Sequence, residues 1–149
     1  VSEPVTDQTS TPDAPRRMRL TGLHHVTLIS SDLEATSAFY GGTLGLAVER
    51  DERNPDDPGA RHVWFGDGEG TPGTLVTFLE YPQMPTGQVG RGSTHHLAFG
   101  VTSGEEQVAW RDWLRSRGVD CTDVMDRGGL RSIYFRDPDG HILEITTRP

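Results

Sequence analysis

The sequence predicts an α+β fold made of paired βαβββ modules. Three observations carry this prediction. Two strand-like segments open alike, His24-His25-Val-Thr-Leu-Ile and His95-His96-Leu-Ala-Phe-Gly-Val. Each runs into a helix-start signal and a glycine stop, and each helix is followed by three more strand-like stretches. The start signals are Ser31-Asp-Leu-Glu34 and Ser103-Gly-Glu-Glu106, both of capping-box form, in which a serine hydroxyl takes one orphan N–H and a glutamate three residues on reaches back. The helices are expected to run to Gly42 and Gly118, each a glycine suited to a left-handed cap.

The remaining strands are expected at 46–51, 61–66 and 74–80 in the first half, and at 119–124, 130–136 and 141–147 in the second. The closing segments also repeat. Trp64-Phe-Gly-Asp67 parallels Tyr134-Phe-Arg-Asp137, and Asp137-Pro-Asp-Gly140 is a strong turn string. Residues 1–19 are rich in Ser, Thr, Pro, Asp and Gln, cannot offset their ordering entropy by burial, and are expected to form a disordered tail, with Met18 as an alternative start. The first module is placed at 20–83, a linker at 84–94 inside the Pro- and Gly-rich stretch Tyr81 to Thr94, and the second module at 95–149.

Composition excludes several function classes. The chain has 149 residues and 33% hydrophobic residues, the size of one compact domain or of two small modules sharing a core. Its formal charge of −8 repels phosphate backbones, which argues against a nucleic-acid partner. No apolar run is long enough to span a bilayer, and the N-terminus lacks the apolar stretch of a secretory leader. A single cysteine, Cys121, excludes an intrachain disulfide and a cysteine zinc site, so a cytoplasmic location is expected. All the basic residues counted with Arg are Arg and none is Lys, which removes Schiff-base chemistry.

Strand parity assigns a face to each side chain. Val26 and Leu28, Val63 and Phe65, Val76 and Phe78, Ile133 and Phe135, and Leu143 and Ile145 are expected to pack under the helices. The opposite face then collects His25, His62, Trp64, Leu75, Thr77, Leu79, His96, Tyr134 and Glu144. Such a face is costly to bury unless it lines a cavity or binds something. Two imidazoles and a carboxylate are the donors of a 2-His-1-carboxylate site, and His25, His96 and Glu144 are the predicted ligands of a divalent metal. Fe(II) and Mn(II) suit these donors best, with Zn(II) and Ni(II) also compatible. Singly, a histidine at a strand start or a glutamate in a last strand is an ordinary surface residue; the repeated position of the two histidines is what joins them. His24, His95 and His141 have the wrong parity. The first two are read as structural, or as touching a ligand at most, and His141 as an exposed residue beside the Asp-Gly turn.

The run Gly22-Leu-His-His25-Val-Thr-Leu-Ile-Ser-Ser-Asp32-Leu with Phe39-Tyr40 and Leu44-Gly-Leu46 resembles the opening of the vicinal oxygen chelate superfamily. This superfamily holds glyoxalases, bleomycin- and fosfomycin-resistance proteins, epimerases and extradiol dioxygenases. Tyr134-Phe-Arg-Asp-Pro-Asp-Gly140 with Leu143-Glu144-Ile is similar to its closing motif. The resemblance covers 20–147 and implies a cupped mixed sheet with helices on its outer face around a divalent metal held at His25, His96 and Glu144. It places Thr77 where glyoxalases and the epimerase carry a fourth ligand, a departure that favours three-ligand members. Asp56 to Phe78 resembles the first module of hydroquinone-type ring-cleaving dioxygenases, and Tyr134 stands where extradiol enzymes carry an active-site tyrosine.

The function expected is therefore a ring-cleaving, extradiol-type dioxygenase acting on a catechol- or hydroquinone-like aromatic, with Fe(II) as the first choice of metal. Tyr134 and His62 are the candidate catalytic side chains. Trp64, Thr77, Leu75 and Leu79 are the candidate substrate wall. His62 could equally be a strand histidine packed beside Trp64. The positions of the usual second histidines offer none, and the cationic cluster a phosphonate would need could draw only on Arg91, Arg127 and Arg131. Two rival functions are a glyoxalase-type lyase or isomerase using a base such as Glu80, and a metal-free protein that binds an aromatic drug. A homodimer is expected, with the site built within one chain or across the interface.

Overall fold

A computed structural model of the chain describes residues 19–147. The expected tail at 1–19 thus falls, but for its last residue, outside the described residues. The chain runs β1 (His25–Ser30), α1 (Leu33–Ser37), a π-helical turn (Ala38–Thr43), β2 (Ala47–Asn54), β3 (Asp57–Gly66), β4 (Leu75–Glu80), β5 (Leu97–Val101), α2 (Gly104–Ser116), β6 (Met125–Arg127), β7 (Leu130–Arg136) and β8 (Ile142–Thr147). The two modules give two four-stranded mixed sheets of the same topology, β1-β4-β3-β2 and β5-β8-β7-β6. In each, the first strand is parallel to the last and lies at the sheet edge. Among the described residues no helix is long and apolar enough to cross a membrane.

The helices start from local capping chemistry, with one difference from expectation. Ser103 caps α2 by accepting from the Glu106 N–H at 3.1 Å. In the first module Asp32, not Ser31, is the cap, accepting from Glu34 and Ala35 N–H. Ser31 instead donates from Oγ and from its backbone N–H to the Asp139 carboxylate of the second module, at 2.5 and 3.1 Å. The first helix also does not close at Gly42. It widens into the π-helical turn, which turns the adjacent Phe39 and Tyr40 both into the core. The left-handed glycine is Gly45 (φ +73°), where the Leu46 N–H closes back on the Tyr40 carbonyl.

The strand expected at 119–124 is displaced to Met125–Arg127. Asp120 and Asp123 interrupt the apolar run, and Thr122 meets β7 through its backbone N–H and side chain rather than through a ladder. The Gly128-Gly129 pair, both at positive φ, then folds β6 back on β7 as a hairpin.

The parity reading locates the core. Val63, Phe65, Phe78, Ile133, Phe135, Leu143 and Ile145 are all buried, and they form one cluster with Leu33, Phe39, Tyr40, Leu44 and Leu114. The two modules therefore share a single core on the helix side of both sheets. Phe39 lies 6.3 Å from Phe135, ring to ring, and Tyr40 donates to Asp137 at 2.9 Å. Burial, and then the Asp137 carboxylate, push the Tyr40 phenol up, so it stays a donor. Trp113 Nε1 donates to the Thr43 carbonyl at 2.8 Å. His141, expected to be exposed, is half-buried and its Nε2 meets the Ile29 carbonyl at 2.9 Å, a further tie between modules.

Candidate functional site

The strand registers align the polar faces of the two sheets residue by residue. In the second module Glu144 stands between Ala98 on β5 and Tyr134 on β7. In the first, Thr77 stands between Thr27 on β1 and Trp64 on β3. By the same registers His25 corresponds to His96, and His62 to Ser132.

The second module brings two of the predicted ligands together. His96 Nε2 lies 2.9 Å from Glu144 Oε2. Glu144 is 7% exposed, and its other oxygen, Oε1, accepts from Ser132 Oγ. Ser132, wholly buried, was not foreseen. Its signal in the sequence is its position two residues before Tyr134, which puts it on the same face. Tyr134 meets the His96 ring edge-on at 6.1 Å, and the Arg127 guanidinium lies 5.9 Å over the Tyr134 ring.

The first module carries an imidazole and hydroxyl chain in place of the carboxylate. His62 Nε2 lies 2.9 Å from Thr77 Oγ1, and Thr77 Oγ1 donates to Thr27 Oγ1 at 2.8 Å. Since the Thr77 hydroxyl proton is directed to Thr27, Thr77 accepts from His62 Nε2–H, which leaves His62 Nδ1 as the basic nitrogen. Burial holds His62 below its ordinary value of 6.5, against the opposing pull of the Glu52 carboxylate. Trp64 packs between the two histidines, 4.8 Å from His25 and 5.2 Å from His62. Its buried Nε1 has no partner, one of two such side-chain atoms among the described residues. Leu75 and Leu79 flank Thr77 on the same strand, opposite His25 and Ile29 of β1.

His25 does not join the His96–Glu144 pair: among the described residues no group of three or more His, Cys, Asp or Glu could hold a metal ion. The shared core lies between the two modules on their helix sides, so the polar faces are turned outward from it. A cleft of about 1040 Å³, lined by residues that include Phe39, Arg115, Cys121, Tyr134 and Arg136, contains neither His96 nor Glu144. Glu80, the candidate base of the lyase reading, accepts from the Leu33 N–H at 2.7 Å and so caps α1 on the helix side. The arginines do not form one cluster. Arg127 lies over Tyr134, whereas Arg131 reaches the α2 start at Gly104.

The paired modules, the repeated His-His strand entry and the buried glutamate of the last strand agree with a family model spanning residues 22–145, that of the Glyoxalase/Bleomycin resistance protein/Dioxygenase superfamily. The chain belongs to this superfamily. Within it, the chain is 37% identical over 128 residues to the "Putative ring-cleaving dioxygenase MhqE" of Bacillus subtilis, covering 86% of this chain and 42% of that one. It is 30% identical over 125 residues to the chlorohydroquinone/hydroquinone 1,2-dioxygenase of Sphingobium indicum, covering 81% of this chain and 38% of the other. A crystal structure of a "putative dioxygenase" from Bacillus subtilis superimposes with a TM-score of 0.80 at 35% identity, covering 85% of this chain and 40% of that one. The chain thus spans about two fifths of the length of these relatives.

Proposed function

We propose that this superfamily member is a metal-dependent, extradiol-type ring-cleaving dioxygenase of a catechol- or hydroquinone-like aromatic. The observation that carries the reading is the pair made by exposed His96 and buried Glu144, 2.9 Å apart, on a face whose pseudo-equivalent in the other module presents His25. An imidazole nitrogen and a carboxylate oxygen already face each other there, and the donor set suits a divalent cation, Fe(II) first. His25, His96 and Glu144 would hold it. When bound, the metal supplies Lewis acidity toward adjacent substrate oxygens and, as Fe(II), a site for dioxygen.

The third donor comes from a second copy of the chain in a homodimer, its β1 face set against the β5–β8 face of the first. Both first strands lie at open sheet edges, which leaves each half-cup free to be completed in this way. The chain's own side chains then have distinct tasks. Trp64, Leu75 and Leu79 form the apolar wall for the ring. Tyr134, beside His96, orients or protonates the oxygenated ring through its hydroxyl. His62 accepts a substrate proton at Nδ1, with Nε2 anchored on Thr77. Ser132 holds the Glu144 carboxylate in place. A reducing cytoplasm suits the single cysteine and an Fe(II) site.

Oxygen uptake by Fe(II)-loaded protein, over a panel of catechols and hydroquinones with and without ring substituents, tests the reading. Stoichiometric uptake with loss of the aromatic absorbance is expected. Turnover of a glyoxalase-type substrate without oxygen would replace it with the lyase reading, and tight aromatic binding with no bound metal would replace it with the drug-binding one.

A further inference from the structure

We propose that His24 and His95 are positioning residues: each is hydrogen-bonded through Nδ1 to Nδ1 of the next histidine and so turns Nε2 of His25 and of His96 toward the polar face. The proposal rests on the reading of His25 and His96 as metal ligands. By strand alternation, His24 and His95 should lean away from that face. Their rings instead turn back onto their neighbours. His24 Nδ1 lies 3.0 Å from His25 Nδ1, and His95 Nδ1 lies 2.9 Å from His96 Nδ1. Both pairs are edge-to-face, with centroids 5.2 and 5.1 Å apart and planes at 87° and 85°.

The arrangement is the same in two settings that share little else. His96 sits on a carboxylate, whereas His25 sits on an indole. Neither Glu144 nor Trp64 can therefore be what forces it, and the common element is the His-His dipeptide at the strand entry. Because Nδ1 is engaged, the free nitrogen of each second histidine is Nε2, and His96 Nε2 is the atom that meets Glu144.

A nitrogen-to-nitrogen hydrogen bond holds one proton between two rings, and the chemistry of imidazole explains why the partner is histidine. Where His96 donates Nε2–H to Glu144, its Nδ1 can accept from His95 Nδ1–H. To offer the Nε2 lone pair to a cation, His96 must carry its proton on Nδ1. In that form His96 would donate Nδ1–H to His95 Nδ1, so the same contact holds the ring in either tautomer. A carbonyl or carboxylate partner could only accept, and would hold the ring in one tautomer; an imidazole serves both.

The test uses the full chain with ¹⁵N-labelled histidine. Metal-free wild type should show His25 and His96 Nδ1 shifted by hydrogen bonding. His24→Phe and His95→Phe should move those signals to unbonded values, and His24→Asn and His95→Asn, whose amide both donates and accepts, should restore them. Titration with Zn²⁺ alone should then show about 10–100-fold weaker binding in the Phe variants and recovery in the Asn variants. Unchanged ¹⁵N signals of His25 and His96 in the Phe variants overturn the proposal, as does unchanged zinc affinity relative to a wild type that binds zinc. A wild type that binds no zinc, in variants whose ¹⁵N signals still move, overturns the metal reading and leaves the positioning role standing.

Discussion

Where the second module carries Glu144, Ser132 and Tyr134, the first carries Thr77, His62 and Trp64, at the same steps of the same strand registers. The backbones repeat while the chemistry does not. In the second module a serine hydroxyl and an imidazole converge on a buried carboxylate; in the first, an imidazole and two hydroxyls make a neutral chain beside an indole. The two modules teach that a duplicated sheet fixes where side chains stand and leaves open what they do. One module has kept an anionic donor, the other presents an apolar, aromatic wall, and a site made from both needs their polar faces brought together.

The largest effect should come from exchanging chemistry at the equivalent strand positions. Glu144→Gln removes the anionic oxygen and should weaken divalent-metal binding by more than about a hundredfold, beyond what the loss of an outer partner costs. Thr77→Val, at the matching step of the first module, should leave metal affinity unchanged and alter only the histidine beside it. Isothermal titration of the two variants reads both, and a comparable loss in Thr77→Val would erase the distinction between the modules.

The shared core sets the next effect. Phe78 and Ile133, one from each sheet, are fully buried in the same cluster. Phe78→Ala should cost about 3–5 kcal/mol and Ile133→Ala about 2–5 kcal/mol. Each should lower one common unfolding transition followed by circular dichroism and by tryptophan fluorescence. Two separated transitions would mean that the modules fold as independent units.

The smallest effect is a pH dependence peculiar to the first module. His62 is held below its ordinary value of 6.5, chiefly by burial. Above 6.5 it is neutral folded and unfolded, and stability is at its full value. As pH falls below 6.5 the unfolded chain takes up a proton that the folded chain resists, so stability declines until the depressed folded value is passed. His62→Asn should remove that decline. Denaturant midpoints measured across this range for both proteins check it, and an equal decline in the variant would assign the proton to another group.

Much of the architecture was legible in the sequence because strands and capped helices are local objects. Alternation along β3 and β7 separated Val63, Phe65, Ile133 and Phe135 from His62, Trp64 and Tyr134 without knowledge of the fold. The misplacements arise where local signals leave a choice that the packed fold decides. Gly42 and Gly45 both suit a left-handed cap, and only the widened turn that buries Phe39 and Tyr40 together selects Gly45. Ser31 and Asp32 both suit a helix start, and the distant Asp139 carboxylate draws Ser31 away. His141 has no sequence signal at all for its tie to Ile29, because that contact exists only once the two modules are packed. The same reason hides how His25 relates to the His96–Glu144 pair: parity gives the face of a sheet, whereas convergence depends on how two sheets meet.

Mixing two inactive variants tests the central claim most directly. His25→Ala and Glu144→Ala each remove one donor, from opposite modules. If the site is built from the first module of one chain and the second module of another, a mixed dimer carries one site free of both substitutions. The account predicts that each variant alone binds no divalent metal, and that the dissociated and reassociated mixture regains about half a site per mixed dimer chain by titration. A mixture that binds nothing, or a His25→Ala protein that binds metal as the wild type does, would contradict it.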